Sequence, residues 1–298
     1  MKNTSFTDGE ALLAVFDGSY EDTPQIKELT IPEGIIEIAE NAFRDFSNLE
    51  VITLPKSLKY IGACAFSGCM NLRRVNMQYG ITSIGDEAFS SCSSLCEISM
   101  PDSCKFIGEG VFEGCASLTS IRLSESITGI GQGAFSYCFN LPYIHIPDSC
   151  TDIEFNAFAG CFALEGVHLS DNISVINESL FEGCRSLKYI EMPTKLVKIG
   201  RKAFKGCTSL ASVILPFGVL SIGYDAFADC TSLTRIAIPK GLCSIEDDDA
   251  FGGCDSLIEI SFGGTRERWE SITHGKALTL QRSDLTPFTP KVSFINLE

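Results

Sequence analysis

Cysteine is the most reactive side chain in this sequence, and the chain contains 14 of them. Nine share one position of a regular spacing: Cys69, Cys92, Cys115, Cys138, Cys161, Cys184, Cys207, Cys230 and Cys254. Structural zinc sites use Cys-x-x-Cys pairs or histidines at short spacing, and neither pattern occurs here. We therefore predict a column of reduced thiols that fills space in the core, with no metal centre and no cofactor.

The alternative for this column is disulfide bonding. If the repeats stack, neighbouring cysteines lie about 5 Å apart at Cα, which is within the disulfide range. An odd number of side chains that all point the same way nevertheless disfavours systematic pairing. Of the other five cysteines, Cys104 and Cys150 replace core aliphatic residues, whereas Cys64, Cys96 and Cys243 fall at variable positions. These last three are predicted to be the accessible thiols.

Two of the three histidines form a second candidate site, one that could bind a metal ion. His145 and His168 are 23 residues apart, and Glu191 follows at the same interval, so stacked repeats would place the three side by side. A zinc ion would need a fourth ligand, which the surrounding sequence does not supply. We therefore interpret these residues as a surface group and predict no metal site.

The acidic run Glu246-Asp247-Asp248-Asp249 coincides with a one-residue insertion in the repeat. A calcium loop needs several oxygen ligands at defined spacing around a glycine, and the run lacks that spacing, so we predict a solvated bulge. The sequence also has no phosphate-binding loop, nucleophile elbow or paired-carboxylate cleft. We expect no enzyme activity.

The element that must position all of these residues is a repeat with a period of 23 residues. Leucine recurs at Leu49, Leu72, Leu95, Leu118, Leu141, Leu164, Leu187, Leu210 and Leu233. Phenylalanine recurs at Phe43, Phe66, Phe89, Phe112, Phe135, Phe158, Phe181, Phe204 and Phe227. A fixed period of this length is typical of a solenoid, in which copies of one supersecondary unit stack on each other.

Each unit alternates apolar and polar residues at its start, as in Ile121-Arg122-Leu123, which predicts a short half-buried strand. A proline usually ends this strand, since it cannot donate to the ladder. The returning limb carries an isoleucine, usually a glycine, and then a small residue before phenylalanine, which predicts a short extended piece and a 3₁₀ turn. The predicted fold is therefore a mainly β repeat solenoid built on a parallel sheet.

We divide the chain into three parts. Residues 1–25 are predicted to form an N-terminal cap, residues 26–256 ten repeats, and residues 257–298 the last strand, a C-terminal cap and a tail. Thr265 is a candidate N-cap for a short helix in which Trp269 would close the last repeat. The segment after Leu285 is predicted to be a tail laid along that cap.

Composition and charge exclude several partners. The formal net charge of −15 disfavours nucleic acid and anionic membrane surfaces, which need lysine and arginine. No apolar run reaches the length of a membrane-spanning helix, about 18 residues. The start of the chain lacks the apolar region of a signal peptide, which leaves two locations open: the cytoplasm, or the cell surface if a leader has been removed.

The unit Leu-x-x-Ile-x-Leu-Pro-x-x-Leu-x-x-Ile-Gly-x-x-Ala-Phe-x-Gly-Cys closely resembles the 23-residue leucine-rich repeat of the BspA-like family over about residues 26–262. The segment Phe262 to Trp269 resembles the end of such arrays. The resemblance implies a right-handed arc with the parallel sheet on its concave face and short extended or 3₁₀ segments on its convex face. It also implies a non-enzymatic surface protein implicated in adhesion to host proteins or other cells.

In such an arc the polar strand positions face the concave side, and two of these columns change character in the fifth to eighth repeats. The candidate partner-binding residues, called here the concave patch, are Arg122, Tyr143, His145, His168, Tyr189 and Glu191. Tyrosine and arginine are enriched at binding hot spots. We predict a monomer that recognises a protein partner, such as a host extracellular or cell-surface protein. A structural spacer in a larger surface assembly and a carbohydrate-binding solenoid remain alternatives.

Overall fold

The computed structural model describes residues 26–246, 248–273, 280–284 and 286–295. The predicted N-terminal cap, residues 1–25, lies outside the described residues. From residue 26 the chain forms stacked rungs of 23 residues, so the predicted β solenoid is confirmed. The inner strands, which line the concave face, are β1 (Glu28–Thr30), β3 (Val51–Thr53), β5 (Arg74–Asn76), β7 (Glu97–Ser99), β9 (Ser120–Arg122), β11 (Tyr143–His145), β13 (Gly166–His168), β16 (Ser212–Ile214), β18 (Arg235–Ile238) and β20 (Glu259–Phe262).

Each rung then returns along an outer limb that begins with a two-residue strand. These outer strands are β2 (Glu37–Ile38), β4 (Tyr60–Ile61), β6 (Ser83–Ile84), β8 (Phe106–Ile107), β10 (Gly129–Ile130), β12 (Asp152–Ile153), β14 (Val175–Ile176), β15 (Lys198–Ile199), β17 (Ser221–Ile222) and β19 (Ser244–Ile245). Pairing is parallel and in register, so that Ile52 lies opposite Val75 and Ile61 opposite Ile84. Equivalent residues of successive repeats therefore form columns.

After its outer strand, each rung turns back through a bend centred on the column phenylalanine. Alternate backbone N–H groups of this bend donate within the rung and to the next rung: Ala65 donates to the Gly62 carbonyl at 3.3 Å, and Phe66 to the Ala88 carbonyl at 2.8 Å. The glycine after the outer strand permits this close stacking. A Cβ on Gly85 would lie 2.5 Å from the Ala63 nitrogen, which leaves no space for a side chain.

The core is a stack of like side chains. Ring centroids of successive column phenylalanines, from Phe43 to Phe251, are 5.2 to 5.8 Å apart and nearly parallel. Columns of leucine, isoleucine and alanine fill the remaining space. No buried side-chain nitrogen or oxygen in the described part of the chain lacks a hydrogen-bond partner. Each rung therefore contributes apolar side chains to one continuous core in which the buried polar side-chain atoms have hydrogen-bond partners.

The nine column cysteines are buried free thiols. Each donates to the carbonyl of the phenylalanine 26 or 27 residues earlier, as Cys138 Sγ does to Phe112 at 3.2 Å. Burial raises the pKa of Cys69, Cys115 and Cys161 to about 12. This column is thus part of the core packing, as predicted.

The C-terminal end closes the array with a short helix, α1 (Arg266–Ile272). Thr265 caps it, since its side chain accepts a hydrogen bond from the Arg268 N–H. Trp269 is buried, and its ring centroid lies 5.2 Å from that of Phe262 on strand β20. The indole therefore covers the apolar end of the final rung.

The chain after α1 differs from the predicted tail. Strand β23 (Lys291–Phe294) pairs in parallel with β20 and extends the inner sheet by one strand. Before it, β21 (Leu280–Gln281) and β22 (Pro287–Phe288) pair antiparallel, and Gln281 accepts the Gly253 N–H at 2.8 Å. The prediction of a tail laid along the cap is wrong for β23. Without β23, the edge strand β20 would have unpaired backbone N–H and C=O groups, and an extended segment can form hydrogen bonds with them.

The acidic insertion is absorbed locally. A 3₁₀ helix, Asp248–Phe251, follows β19, while Asp247 lies outside the described residues. The Phe227 N–H donates to the Ala250 carbonyl at 2.8 Å, so the phenylalanine column continues past the extra residue. Within the described ranges, no helix has both the length and the apolar character needed to cross a membrane.

Candidate functional site on the concave face

Inner strands β9, β11 and β13, and the equivalent extended segment of rung 8, place the residues of the concave patch on one side of the array. Their apolar neighbours Ile144 and Val167 are buried, so the alternating residues on either side point away from the core. Tyr143 and Tyr189 are 52% and 63% exposed. Arg122, His145 and Glu191 are also exposed, and His168 is half-buried. The sequence-predicted residues therefore share one accessible face on four successive rungs.

The two histidines form the most ordered contact of the patch. The Cα atoms of His145 and His168 are register partners in the pair β11–β13. Their rings stack with centroids 4.6 Å apart and an interplanar angle of 12°. Two imidazoles that stack in this way present one flat polar surface rather than ligands that converge on a point.

The two tyrosines lean toward each other over a glycine. Gly166 is the register partner of Tyr143 and lies between it and Tyr189 in the column. A Cβ placed on Gly166 would lie 3.6 Å from the Tyr189 hydroxyl oxygen and 3.7 Å from Tyr143 Cδ2. Both side chains thus cover the glycine, which is buried although it lies on the surface strand. The two exposed tyrosine rings therefore flank Gly166, one from the rung on each side of it.

Charged groups frame the two tyrosines. Arg122 donates from Nε to Ser99 Oγ at 3.1 Å and pairs through Nη1 with Asp102 at 3.4 Å. On the other side, Lys188 Nζ and Glu165 form a 2.7 Å ion pair. Both pairs are exposed, so each contributes little to stability, roughly 0–1 kcal/mol. Their charges are consequently available to orient a partner.

A carboxylate also stands beside the histidine pair. The Thr194 backbone N–H, 2.9 Å from Asp171 Oδ1, lowers the pKa of Asp171, and nearby His168 and Lys195 act in the same direction. Glu191 makes no hydrogen bond or ion pair with the other described residues. The patch therefore combines a cation at one end with carboxylates at the other.

The inner sheet is interrupted where the patch lies. Hydrogen-bonded ladders join β1 to β9, then β11 to β13, then β16 to β23. Rung 8, with Tyr189 to Glu191, contributes no inner strand among those described. Fewer ladder hydrogen bonds lower the cost of local adjustment. Sequence reasoning missed this interruption, because the rung keeps the same pattern of apolar residues as its neighbours.

Two further observations bear on the chemistry of this face. Within the described residues, no group of three or more His, Cys, Asp or Glu side chains is arranged to hold a metal ion. Ile214, in the column of His168 and Glu191, is 75% exposed and adds an apolar residue to the far edge of the patch. Its position in the polar column could have indicated this from sequence.

The fold and this face define a leucine-rich-repeat solenoid with a broad, exposed inner sheet. The family model for the BspA type leucine rich repeat region, in six copies, matches residues 15–142 and 128–258. This match spans most of the chain, which therefore belongs to the BspA-type leucine-rich-repeat family. No protein with a curated description matches the chain in sequence.

Solved structures with a similar fold come from several bacteria. A leucine-rich repeat protein from Bacteroides ovatus is 28% identical, with a TM-score of 0.53, and the match covers 91% of this chain and 84% of that one. A leucine rich cell surface protein from Faecalibacterium prausnitzii is 28% identical, with a TM-score of 0.49 and coverage of 83% and 82%. The pneumococcal vaccine antigen PcpA shares the fold at 20% identity, with a TM-score of 0.56 and coverage of 91% and 77%.

Proposed function

We propose that this protein is a non-enzymatic recognition module that binds a protein partner through the concave patch. The observation that carries the proposal is the exposed aromatic surface of Tyr143 and Tyr189 beside the stacked pair His145–His168. Exposed tyrosines provide a large contact area at a low entropic cost, and they are frequent hot spots of interfaces. The flanking Arg122 and the carboxylates provide charges of both signs for orientation.

The test is a binding experiment with a double variant. Tyr143→Ala/Tyr189→Ala and wild type are immobilised side by side and exposed to extracellular matrix proteins and to lysate of the source organism. Thr30→Ala/Thr53→Ala, on the same face of the first two rungs, is the matched control. We expect one or more proteins that bind wild type and the control but are lost from the patch variant.

The alternatives predict different results. A structural spacer would capture the same proteins with both variants, since its role does not depend on the concave patch. A carbohydrate-binding solenoid would retain glycans on an array and lose them with the tyrosine variant. Either result would replace protein recognition as the function of this face.

The histidine pair is tested by a second double variant. His145→Gln/His168→Gln removes the two stacked rings, whose centroids are 4.6 Å apart, and keeps a polar group at each position. Affinity for a captured protein should fall about threefold or more, because the stacked rings are part of the exposed contact surface. Equal affinity of wild type and this variant would remove the histidines from the binding surface.

A further inference from the structure

A second surface lies on the outer limb, away from the inner strands that carry the concave patch. It is a groove of about 440 Å³ that runs across the bends of rungs 3 to 7. Four carboxylates line it, from Glu87, Glu109, Glu113 and Glu182, whereas none of its lining residues is lysine or arginine. Its central part is formed by Tyr137, Phe162 and Gly160 between them. The groove thus has three carboxylates at one end, one carboxylate at the other, and aromatic side chains in the middle.

Tyr137 occupies a backbone position that the rest of the array gives to small residues. Its φ is 60°, in the left-handed region. The same column elsewhere holds glycine, aspartate or serine: Asp45, Gly68, Ser91, Gly114, Gly160, Gly183, Gly206, Asp229 and Gly253. A bulky residue in this conformation is strained, and such strain concentrates at functional sites. Nothing in the stacking of the core requires a tyrosine there, because its ring lies outside the phenylalanine column.

The neighbouring rung is shaped to receive this ring. A Cβ on Gly160 would lie only 2.7 Å from Tyr137 Cδ1, so the ring rests directly on the glycine backbone. Tyr137 meets Phe139 edge to face at 6.1 Å, and Phe139 stacks on Phe162 at 4.9 Å. Tyr137 is nevertheless 49% exposed. The Tyr137 ring is therefore held in place by its neighbours while part of it stays accessible to solvent.

The aromatic group already holds one cation of this chain. The Arg185 guanidinium lies 4.5 Å from the centroid of the Phe162 ring. This contact occupies one face of Phe162, and Phe139 occupies the other, so Tyr137 supplies the free aromatic face. This free face is an apolar surface on which an apolar side chain of a partner can pack.

The carboxylates at the first end are close enough to repel each other. Burial raises the pKa of Glu113, and the nearby Glu87 and Glu109 raise it further. A bound cation would relieve this repulsion. Charge complementarity therefore favours a cationic occupant over a neutral or acidic one.

We propose that this groove binds a basic, extended segment of a protein partner, with side chains directed at the carboxylates and at Tyr137. The groove crosses four rung spacings, or about 20 Å, which is longer than a single amino acid side chain. From Glu113 to Glu182 there are three spacings, about 14 Å, which an extended chain covers in about four residues. Because alternate side chains of a strand share a face, the groove fits basic residues at i and i+4 with an apolar residue at i+2.

The probe is a fluorescein-labelled peptide, Arg-Ser-Leu-Ser-Arg, with blocked termini, measured by fluorescence anisotropy with the full chain. We expect it to bind about tenfold or more tightly than Gln-Ser-Leu-Ser-Gln, and about threefold or more tightly than Arg-Arg-Leu-Ser-Ser, which has the same charge at the wrong spacing. Binding should weaken as salt rises to about 0.5 M.

Variants of the chain locate the site. Tyr137→Gly restores the common residue of the column, so the thermal midpoint should stay within about 3 °C of wild type while affinity falls about fivefold or more. Glu113→Gln should weaken binding about threefold. Glu37→Gln removes the same charge from the outer strand of rung 1, where it is exposed, and should leave affinity unchanged.

Four outcomes would overturn the proposal. The first is equal affinity of wild type and Tyr137→Gly for the peptide, and the second is an equal loss of affinity with Glu37→Gln and Glu113→Gln. The third is equal affinity for Arg-Ser-Leu-Ser-Arg and Arg-Arg-Leu-Ser-Ser. The fourth is spermidine that binds as tightly as the peptide, which would indicate a small amine as the ligand. Self-association of the chain that Tyr137→Gly abolishes would place a second copy in the groove. The groove is separate from the concave patch, so a negative result for peptide binding in the groove would not contradict protein recognition by the concave patch.

Discussion

The concave face has two halves that share a core but differ in their surface. In the first four rungs, the last residue of each inner strand is a small polar residue that points outward: Thr30, Thr53, Asn76 and Ser99. Asn76 Nδ2 donates to Thr53 Oγ1 at 3.1 Å, so neighbouring rungs satisfy each other's polar groups. In rungs 5 to 8 the same column carries an arginine, two histidines and a glutamate. A tyrosine lies two positions before His145 and before Glu191.

The interiors of the two halves do not differ. Ile52 in rung 2 and Ile144 in rung 6 are both fully buried, and the phenylalanine stack runs past both without a break in spacing. The fold therefore places no demand on the residues of the concave patch. Residues that the repeat leaves free, and that are nonetheless large and exposed, are the ones to test for function.

The largest expected effect is a loss of stability when a phenylalanine of the shared core is truncated. Phe135 is fully buried between Phe112 and Phe158, with centroids 5.4 and 5.5 Å away. Phe135→Ala should lower the free energy of unfolding by about 3–5 kcal/mol, because it removes a large buried ring and leaves a cavity. Chemical denaturation followed by circular dichroism measures this loss.

Phe139 in the same rung is the control, since it is 38% exposed. Phe139→Ala should lose clearly less than Phe135→Ala, roughly 1 kcal/mol. Similar losses for the two variants would show that the phenylalanine column does not carry the stability of the array. Separate unfolding of the two ends in Phe135→Ala would fit a stack whose rungs interact only with their neighbours.

The cysteines give a second contrast between interior and surface. A bulky thiol reagent should modify Cys96 and Cys243 first, both being exposed, then Cys64 more slowly. Burial and the Glu87 carboxylate raise the pKa of Cys64, so less of it is thiolate at a given pH. The column thiols, with pKa values raised to about 12 in Cys69 and Cys254, should react only after denaturation.

Mass spectrometry of the labelled chain identifies the modified positions. Raising the pH to about 9 should leave the column thiols unmodified in the native chain, because that pH is well below the pKa of about 12 of Cys69 and Cys254. Modification of Cys138 in the native chain would show that the rung opens. Column cysteines found paired as disulfides would contradict the packed, reduced column.

The period of the sequence was sufficient to predict most of this fold. Strand positions and the phenylalanine and cysteine columns follow from it, because each repeat residue occupies a fixed place in the stack. The helix that begins after Thr265 is predicted separately, from the N-cap residue. The outward direction of Tyr143 and Tyr189 follows in the same way, from the alternation of residues in a strand.

What the repeat could not predict are contacts that depend on departures from it. The pairing of β23 with β20 arises after the repeats end, where no period remains to assign partners. The stacked rings of His145 and His168, and the convergence of the tyrosines over Gly166, depend on side-chain directions rather than on spacing. The groove around Tyr137 results from a residue that breaks its column.

The smallest change in stability, with the most direct bearing on function, is expected from Tyr189→Ala. Its side chain is 63% exposed, so the free energy of unfolding should change by less than about 1 kcal/mol, while affinity for a captured protein partner should fall by about 1 kcal/mol or more, roughly fivefold. Thr30→Ala, exposed at the far end of the same face, should change neither quantity. The decisive measurement is titration calorimetry of that partner against wild type and these two variants. The account predicts a loss of affinity with Tyr189→Ala alone, and equal affinities of all three proteins would contradict it.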